Sequence, residues 1–509
     1  MISNPVIPGF HPDPSICRVG KDYYLVNSSF EYFPGVPLSH SRDLVHWRQI
    51  GHCLARESQL PLHKAPSSGG IYAPTIRFHN GTFYMVTTNV SAGGHFFVTA
   101  KDPAGPWSDP VWIDQEGIDP SLFFDDDGTV YFTSTGGEDP QGYIHQSTLD
   151  PQTGRLLTAP RPIWEGTGGQ YPEAPHLYTI NGTYYLLIAE GGTDYGHMVT
   201  IARADSPWGP FDPCPRNPVF THRSTSSPIQ CTGHGDLVEA HDGSWWFVFL
   251  GTRPNYMWHH LGRETFLAPV TWDDDGWPVI GDNGMITPET AAETLPPHPW
   301  PTTPSRDDFD EPELACCWNF VRNPDPAAWS LAGRPGWLTL HGTPVTLSEV
   351  GAPAFVGRRQ ECFQCRARTL LCFGPQASHE EAGLAARMNE EHHAEILVTV
   401  RDGQPAVVFR QRIGPLEQER ASERLTNDTV ELWIQADRET YAFGWTDQNG
   451  SEHELGRTPT RYFSKEVAGG FTGVYFGMYA TGNGKPCTSP ARFDWFDLSD
   501  PKSEATDLH

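Results

Sequence analysis

The chain has 509 residues, with 62 acidic against 35 basic and a net charge of −27. That length exceeds one ordinary core and argues for two domains. That charge repels nucleic acid and anionic membranes and leaves a neutral substrate unaffected, so neither nucleic acid nor membrane is expected as a partner. No stretch approaches the length of a membrane span. Met1-Ile2 runs directly into Ser3-Asn-Pro-Val-Ile-Pro-Gly-Phe10 without a basic region or a long apolar run, so no secretory signal is expected. The ten cysteines have no regular spacing and include the adjacent Cys316-Cys317. They read as free thiols of a reducing, cytoplasmic compartment.

Residues 1–292 write one pattern five times. Each copy is a short apolar strand, a tight turn and a second apolar strand. The copies begin at Pro12-Asp-Pro-Ser15, Tyr72-Ala-Pro-Thr75, Asp119-Pro-Ser121, Glu173-Ala-Pro-His176 and His234-Gly-Asp236. Their turns are Asn80-Gly81, Asp127-Gly128, Asn181-Gly182 and Asp242-Gly243, with an irregular turn in the first copy. Asn-Gly and Asp-Gly between apolar runs signal hairpins, because both residues tolerate positive φ. Further strands close each copy, as in Phe96–Ala100 and Met198–Ala202. Ser39–Trp47 reads as outer strand of the first copy. Asp102-Pro-Ala-Gly-Pro-Trp107 and Asp205-Ser-Pro-Trp-Gly-Pro-Phe211 recur at equivalent places as turns. Helical periodicity is almost absent. Antiparallel strand sets repeating every ~45–65 residues predict the radial blades of a five-bladed β-propeller.

Residues 293–306 are a Pro-rich linker, extended and semi-rigid, built on Leu295-Pro-Pro-His-Pro-Trp-Pro-Thr-Thr-Pro304. Residues 307–500 alternate apolar and polar over many short runs, among them Trp337–Leu340, Glu395–Val400, Ala406–Phe409, Val430–Ile434, Tyr441–Trp445 and Phe493–Trp495. This predicts a β-sandwich, jelly-roll-like, and an all-β protein overall. The polar tail from Ser499 is expected to fray.

Equivalent positions in radial blades converge on one axis. Counting nine residues back from the turn glycine gives Tyr72, Asp119, Glu173 and His234, and in the first copy the count lands beside Asp13. These five residues are expected to ring the mouth of one channel. An isolated Asp-Pro usually only starts a turn. Three acids at equivalent axial positions reverse that reading. Asp125-Asp-Asp-Gly128 sits at a hairpin turn and lacks a later bidentate Glu, so it reads as a solvated turn rather than a calcium loop.

Pro8-Gly-Phe-His-Pro-Asp-Pro-Ser15, Gly117-Ile-Asp-Pro-Ser121, Tyr171-Pro-Glu-Ala-Pro175 and Leu261-Gly-Arg-Glu-Thr265 resemble glycoside hydrolase family 43. Asp307-Asp-Phe-Asp310, Trp329-Ser-Leu331 and Arg334-Pro-Gly336 resemble the C-terminal sandwich of its β-xylosidase and α-L-arabinofuranosidase members. The resemblance implies an inverting exo-glycosidase that acts on hemicellulose oligosaccharides and needs no cofactor. Inversion needs two carboxyl groups far enough apart to admit a water beneath the anomeric carbon. By resemblance Asp13 is the general base, Glu173 the general acid, and Asp119 the third acid that orients Glu173 and raises its pKa. Arg263 matches the arginine that reaches sugar hydroxyls; the bland reading is an ion pair with Glu264. Tyr72, where the family often has Trp, and Phe30 are candidate walls of the terminal subsite. Phe471, on the glycine-flanked tip Val467-Ala-Gly-Gly-Phe-Thr-Gly-Val474, is either sandwich core or a cap on that subsite. The resemblance also implies a calcium or water cluster on the axis near His234. A single His is a poor calcium site, so most ligands of such an ion would be water. Tyr256, Trp258, His259 and His260 line the rim or pack beneath it.

The leading expectation is a pentosidase releasing terminal L-arabinofuranose, D-xylose or both. The alternatives are a β-xylosidase without arabinofuranosidase activity, a non-catalytic sugar-binding propeller, and a retaining propeller fructosidase. A homo-oligomer stays open.

Overall fold

The computed structural model describes residues 1–499; the tail beyond Ser499 and the last residue of the expected second domain lie outside them. Five four-stranded antiparallel sheets make the first domain. Their inner strands are Ser15–Val19, Thr75–His79, Ser121–Phe124, Glu173–Ile180 and Gln230–Glu239. Each inner strand pairs with the next strand across the turn that the chain order suggests. In the second and fourth sheets both turn residues have positive φ: 49° and 71° at Asn80 and Gly81, 52° and 80° at Asn181 and Gly182. That is the two-residue hairpin whose twist matches its strands. The first copy also turns on two residues, Gly20 and Lys21, between Val19 and Asp22, so its turn is regular and only the count back to Asp13 is shorter. Ile2–Ser3 pairs with Glu289–Thr290 and ties the two ends of the domain together.

Residues Ser39–Trp47 divide differently from the expectation. The third strand of the first sheet is Gly35–Ser41 and the fourth is Arg48–Leu54. Between them a bend is held by the Asp43 carboxylate, which accepts backbone N–H groups of Val45 and His46. The linker also begins later in packing terms, since Leu295 is buried in the core between the first and fifth sheets. The remainder is docked on the first blade. The His298 N–H donates to Asp43 (2.6 Å) and the Trp300 indole donates to the His46 carbonyl (3.2 Å).

Two eight-stranded sheets make the second domain, with one core between them that includes Trp318, Leu384, Ile396, Leu432, Phe476 and Phe493. The expected strands fall inside observed ones, as His392–Arg401 and Thr440–Thr446 illustrate, except that Trp337 lies just ahead of Leu338–His341. One strand crosses the domain boundary. Tyr32–Phe33, which leaves the first blade, pairs with Asn319–Val321 and ends a sandwich sheet. An open sheet edge needs a partner or a cover, and here the propeller supplies it. Arg322 and Arg387, both buried, meet Glu390 beside it at 2.6 and 3.1 Å. Among the described residues no helix is long and apolar enough to cross a membrane.

Candidate active site

Pro14, Pro74, Pro120 and Pro175 stand one residue before the same inner-strand position in four blades. The residues just ahead of them turn inward. Asp13 and Asp119 do so with φ of 53° and 54°. In the fourth blade a bulge between Glu173 and His176, with Ala174 at φ 55°, re-aims Glu173. In the fifth, His234 sits at a second bulge with φ 42°. Bulges and left-handed residues of this kind cluster where a side chain must be aimed.

Eight of the residues singled out in the sequence line one pocket, Asp13, Phe30, Tyr72, Asp119, Glu173, His234, Arg263 and Phe471, whereas Tyr256, Trp258, His259 and His260 do not line it. Asp13 is the most tightly held. Arg263 donates to both its oxygens, at 2.7 and 3.4 Å, and the Ser28 hydroxyl donates at 2.5 Å. Arg263 is 5% exposed and does not pair with Glu264. Glu264 takes Arg253 instead, at 2.6 and 2.7 Å. His234 Nδ1 lies between two acids, 3.7 Å from Asp13 and 3.9 Å from Asp119.

The aromatic wall spans both domains. Phe30 stacks on Phe471 with centroids 5.9 Å apart, Tyr72 meets Phe471 edge-on at 6.1 Å, and the Arg263 guanidinium lies 5.6 Å from the Phe471 centroid. Phe471 is half-buried, neither sandwich core nor free tip. Its N–H donates to Ser68 of the propeller (2.8 Å). Gly470 has φ 78°, and a Cβ there would come within 2.4 Å of the Ser68 hydroxyl.

The electrostatics separate the acids. Burial pushes the Asp13 carboxyl up, but Arg263, His234 and Ser28 outweigh it and hold it below the ordinary range. Glu173 is raised to about 8, by burial first and then by the Asp13 charge. Asp119 is pushed well above the ordinary range by burial, then by Glu173 and Asp13. One carboxyl held low and a second raised to about 8 is the division that acid and base work requires. The charge that raises Glu173 after burial is Asp13's, where the sequence reading assigned that effect to Asp119.

Several neighbours carry no repeat signature. Thr193 lines the pocket, and its hydroxyl oxygen accepts from the Arg263 guanidinium at 3.1 Å. His197 is fully buried, with Nε2 lacking a hydrogen-bond partner 3.7 Å from Glu173. Its ring fills the space of a Gly233 side chain, since a Cβ there would approach within 2.4 Å. Lys465 of the sandwich donates to the Thr193 carbonyl (2.7 Å) and its charge opposes the rise of Glu173. The signals available for Thr193 and His197 were the glycines at 191, 192 and 233.

Beneath the pocket the axis is plugged. Asp236 accepts from Ser15 (2.7 Å), Arg77 (2.7 Å) and Tyr178 (2.6 Å), and His176 contacts Arg77 and Ser121. A guanidinium therefore occupies the place where a cation would be drawn. Among the described residues no cluster of three or more His, Cys, Asp or Glu could hold a metal ion.

A ring of three buried carboxyls, a guanidinium and an aromatic wall on a five-bladed propeller defines a sugar-cleaving site. Comparison with known proteins agrees. Residues 2–278 match the family model for glycosyl hydrolases family 43, and residues 306–499 match that for the β-xylosidase C-terminal concanavalin A-like domain. The chain belongs to glycosyl hydrolase family 43 and is a glycosidase. It is 48% identical over 502 residues to a non-reducing end α-L-arabinofuranosidase of Bacteroides ovatus, covering 97% of this chain and 94% of that one. It is 39% identical to a xylosidase/arabinosidase of Butyrivibrio fibrisolvens, covering 98% and 99%. A solved xylan β-1,4-xylosidase from Bacillus halodurans superposes with a TM-score of 0.94 at 37% identity, covering 98% and 100%.

Proposed function

We propose that this glycosidase removes terminal L-arabinofuranose, and also D-xylose, from the non-reducing ends of hemicellulose oligosaccharides, by a single displacement with inversion. Asp13 takes the proton of the attacking water. Glu173 protonates the leaving oxygen. Asp119, whose carboxyl takes the backbone N–H of Ala174 next to Glu173, orients Glu173. Arg263 reaches sugar hydroxyls and keeps Asp13 ionised. Tyr72, Phe30 and Phe471 wall the terminal ring, and His234 bridges the base and the third acid. Any calcium on the axis would rest on water, and no step depends on it.

The observation that carries this reading is the split in protonation between Asp13, salt-bridged at 2.7 Å, and Glu173, buried and raised to about 8. Exo action is supported by the small pocket, about 80 Å³, with Phe471 set across it from the second domain. Arabinofuranose comes first because the Bacteroides ovatus relative carries that name. The test compares initial rates of arabinose release from arabinoxylan oligosaccharides with xylose release from xylobiose. Faster arabinose release is expected. Release of neither sugar would refute the substrate class, and xylose alone would leave a β-xylosidase.

A further inference from the structure

A second cavity lies between the domains, beside the catalytic pocket and separate from it. Its volume is about 320 Å³, within the range of sites that enclose a small ligand. The propeller loop 255–260 makes one wall and the sandwich segments 439–440 and 459–461 make the other.

The loop is built to hold an aromatic ring in water. Asn255 and Trp258 exchange backbone hydrogen bonds at 2.8 and 3.1 Å, closing a tight turn. Tyr256 at its tip has φ 59° and is 77% exposed. Glycine or asparagine would adopt that backbone without strain, whereas a bulky residue there is an outlier. A strained tyrosine with its ring in solvent contributes little to folding, so its use lies elsewhere. Trp258 meets it edge-on at 6.3 Å. Opposite stand Glu439 and Arg461, both exposed.

His260 is a further residue of the cavity wall. It lines this cavity, is 1% exposed, and its Nε2 has no hydrogen-bond partner. A buried polar atom is normally paired, and an orphan calls for an explanation. Burial lowers its pKa to about 3, so the ring is neutral.

We propose that this cavity binds a neutral saccharide residue. Aromatic faces cover the apolar side of a sugar ring, and the exposed carboxylate and guanidinium match its hydroxyls. The place suits a residue of the same chain that enters the active site. The Tyr195 hydroxyl donates to the Met257 carbonyl (3.0 Å), and His259 meets Glu466 (2.8 Å), next to the Lys465 that holds Thr193. Only the choice of a pentose oligosaccharide rests on the function proposed above.

The test titrates xylotetraose into the Glu173→Gln protein by calorimetry, with and without saturating free arabinose to fill the catalytic pocket. The expected result is two sites, one surviving arabinose. Tyr256→Ala and Glu439→Ala should weaken that surviving site roughly three- to tenfold, the size of a lost aromatic or polar contact. In the otherwise wild-type enzyme both should leave turnover of a 4-nitrophenyl arabinofuranoside unchanged. A single site abolished by arabinose would overturn the proposal, as would two sites indifferent to both substitutions. Absence of turnover on any pentoside would refute the proposed function instead, and the two failures are read separately.

Discussion

Replacing Glu173 by glutamine should stabilise the protein, and increasingly so as pH rises. The unfolded chain gives up this proton near 4.5, whereas the folded site holds it to about 8 because burial and the Asp13 charge oppose ionisation. Between those values the unfolded state binds fewer protons than the folded one, so stability falls with rising pH. Below 4.5 both states are protonated and the carboxyl costs nothing; above about 8 the full cost is present. At 1.36 kcal/mol per pH unit the separation amounts to at most about 4–5 kcal/mol. The side chain is 16% exposed, and partial solvation reduces this to ~2–4 kcal/mol. Glutamine keeps the shape and carries no charge. Thermal unfolding of both proteins at pH 5 and pH 8.5 measures the difference. At ~2–4 °C per kcal/mol for a domain of this class, the Tm gap should open by roughly 5–10 °C in favour of the variant. Unfolding curves that stay parallel between the two pH values would refute the reasoning.

Other perturbations probe the remaining roles. Asp13→Asn should lower kcat by at least the ~10²–10⁴-fold of a lost general base, and retention of most activity in steady-state assays would sink that assignment. Arg263→Ala should raise KM and also move the acid limb of the pH–rate profile to higher pH, because Asp13 loses the guanidinium that keeps it ionised; an unmoved limb contradicts the pairing. Phe471→Ala should raise KM and weaken inhibition by free pentose. Its stability cost should stay below the ~3–5 kcal/mol of a core phenylalanine, because the ring is half-buried, and early melting with normal sugar binding would return it to the core.

The parts of the fold that could be read in advance are those set by local chemistry. Asn80-Gly81 and Asn181-Gly182 can adopt the left-handed pair that a two-residue hairpin needs, so their strands and blades follow from neighbours in sequence. Asp119, Glu173 and His234 follow from the same register. Thr193, His197 and Lys465 do not, because each reaches the site through a contact with no period. Lys465 meets a carbonyl 272 residues away, and nothing local marks it. Tyr32–Phe33 carries no local strand signal, because its partner, Asn319–Val321, lies in the other domain. Phe471 was ambiguous for a related reason. A phenylalanine between glycines can turn inward or outward, and the Ser68 hydroxyl on the opposite domain decides it.

The division of labour between Asp13 and Glu173 is tested most directly by the configuration of the first product. Proton NMR during early turnover of an aryl α-L-arabinofuranoside resolves the two anomers before mutarotation mixes them. Direct attack by water from the Asp13 side predicts that β-arabinofuranose appears first. Initial appearance of the α anomer would mean a covalent intermediate and would contradict the account.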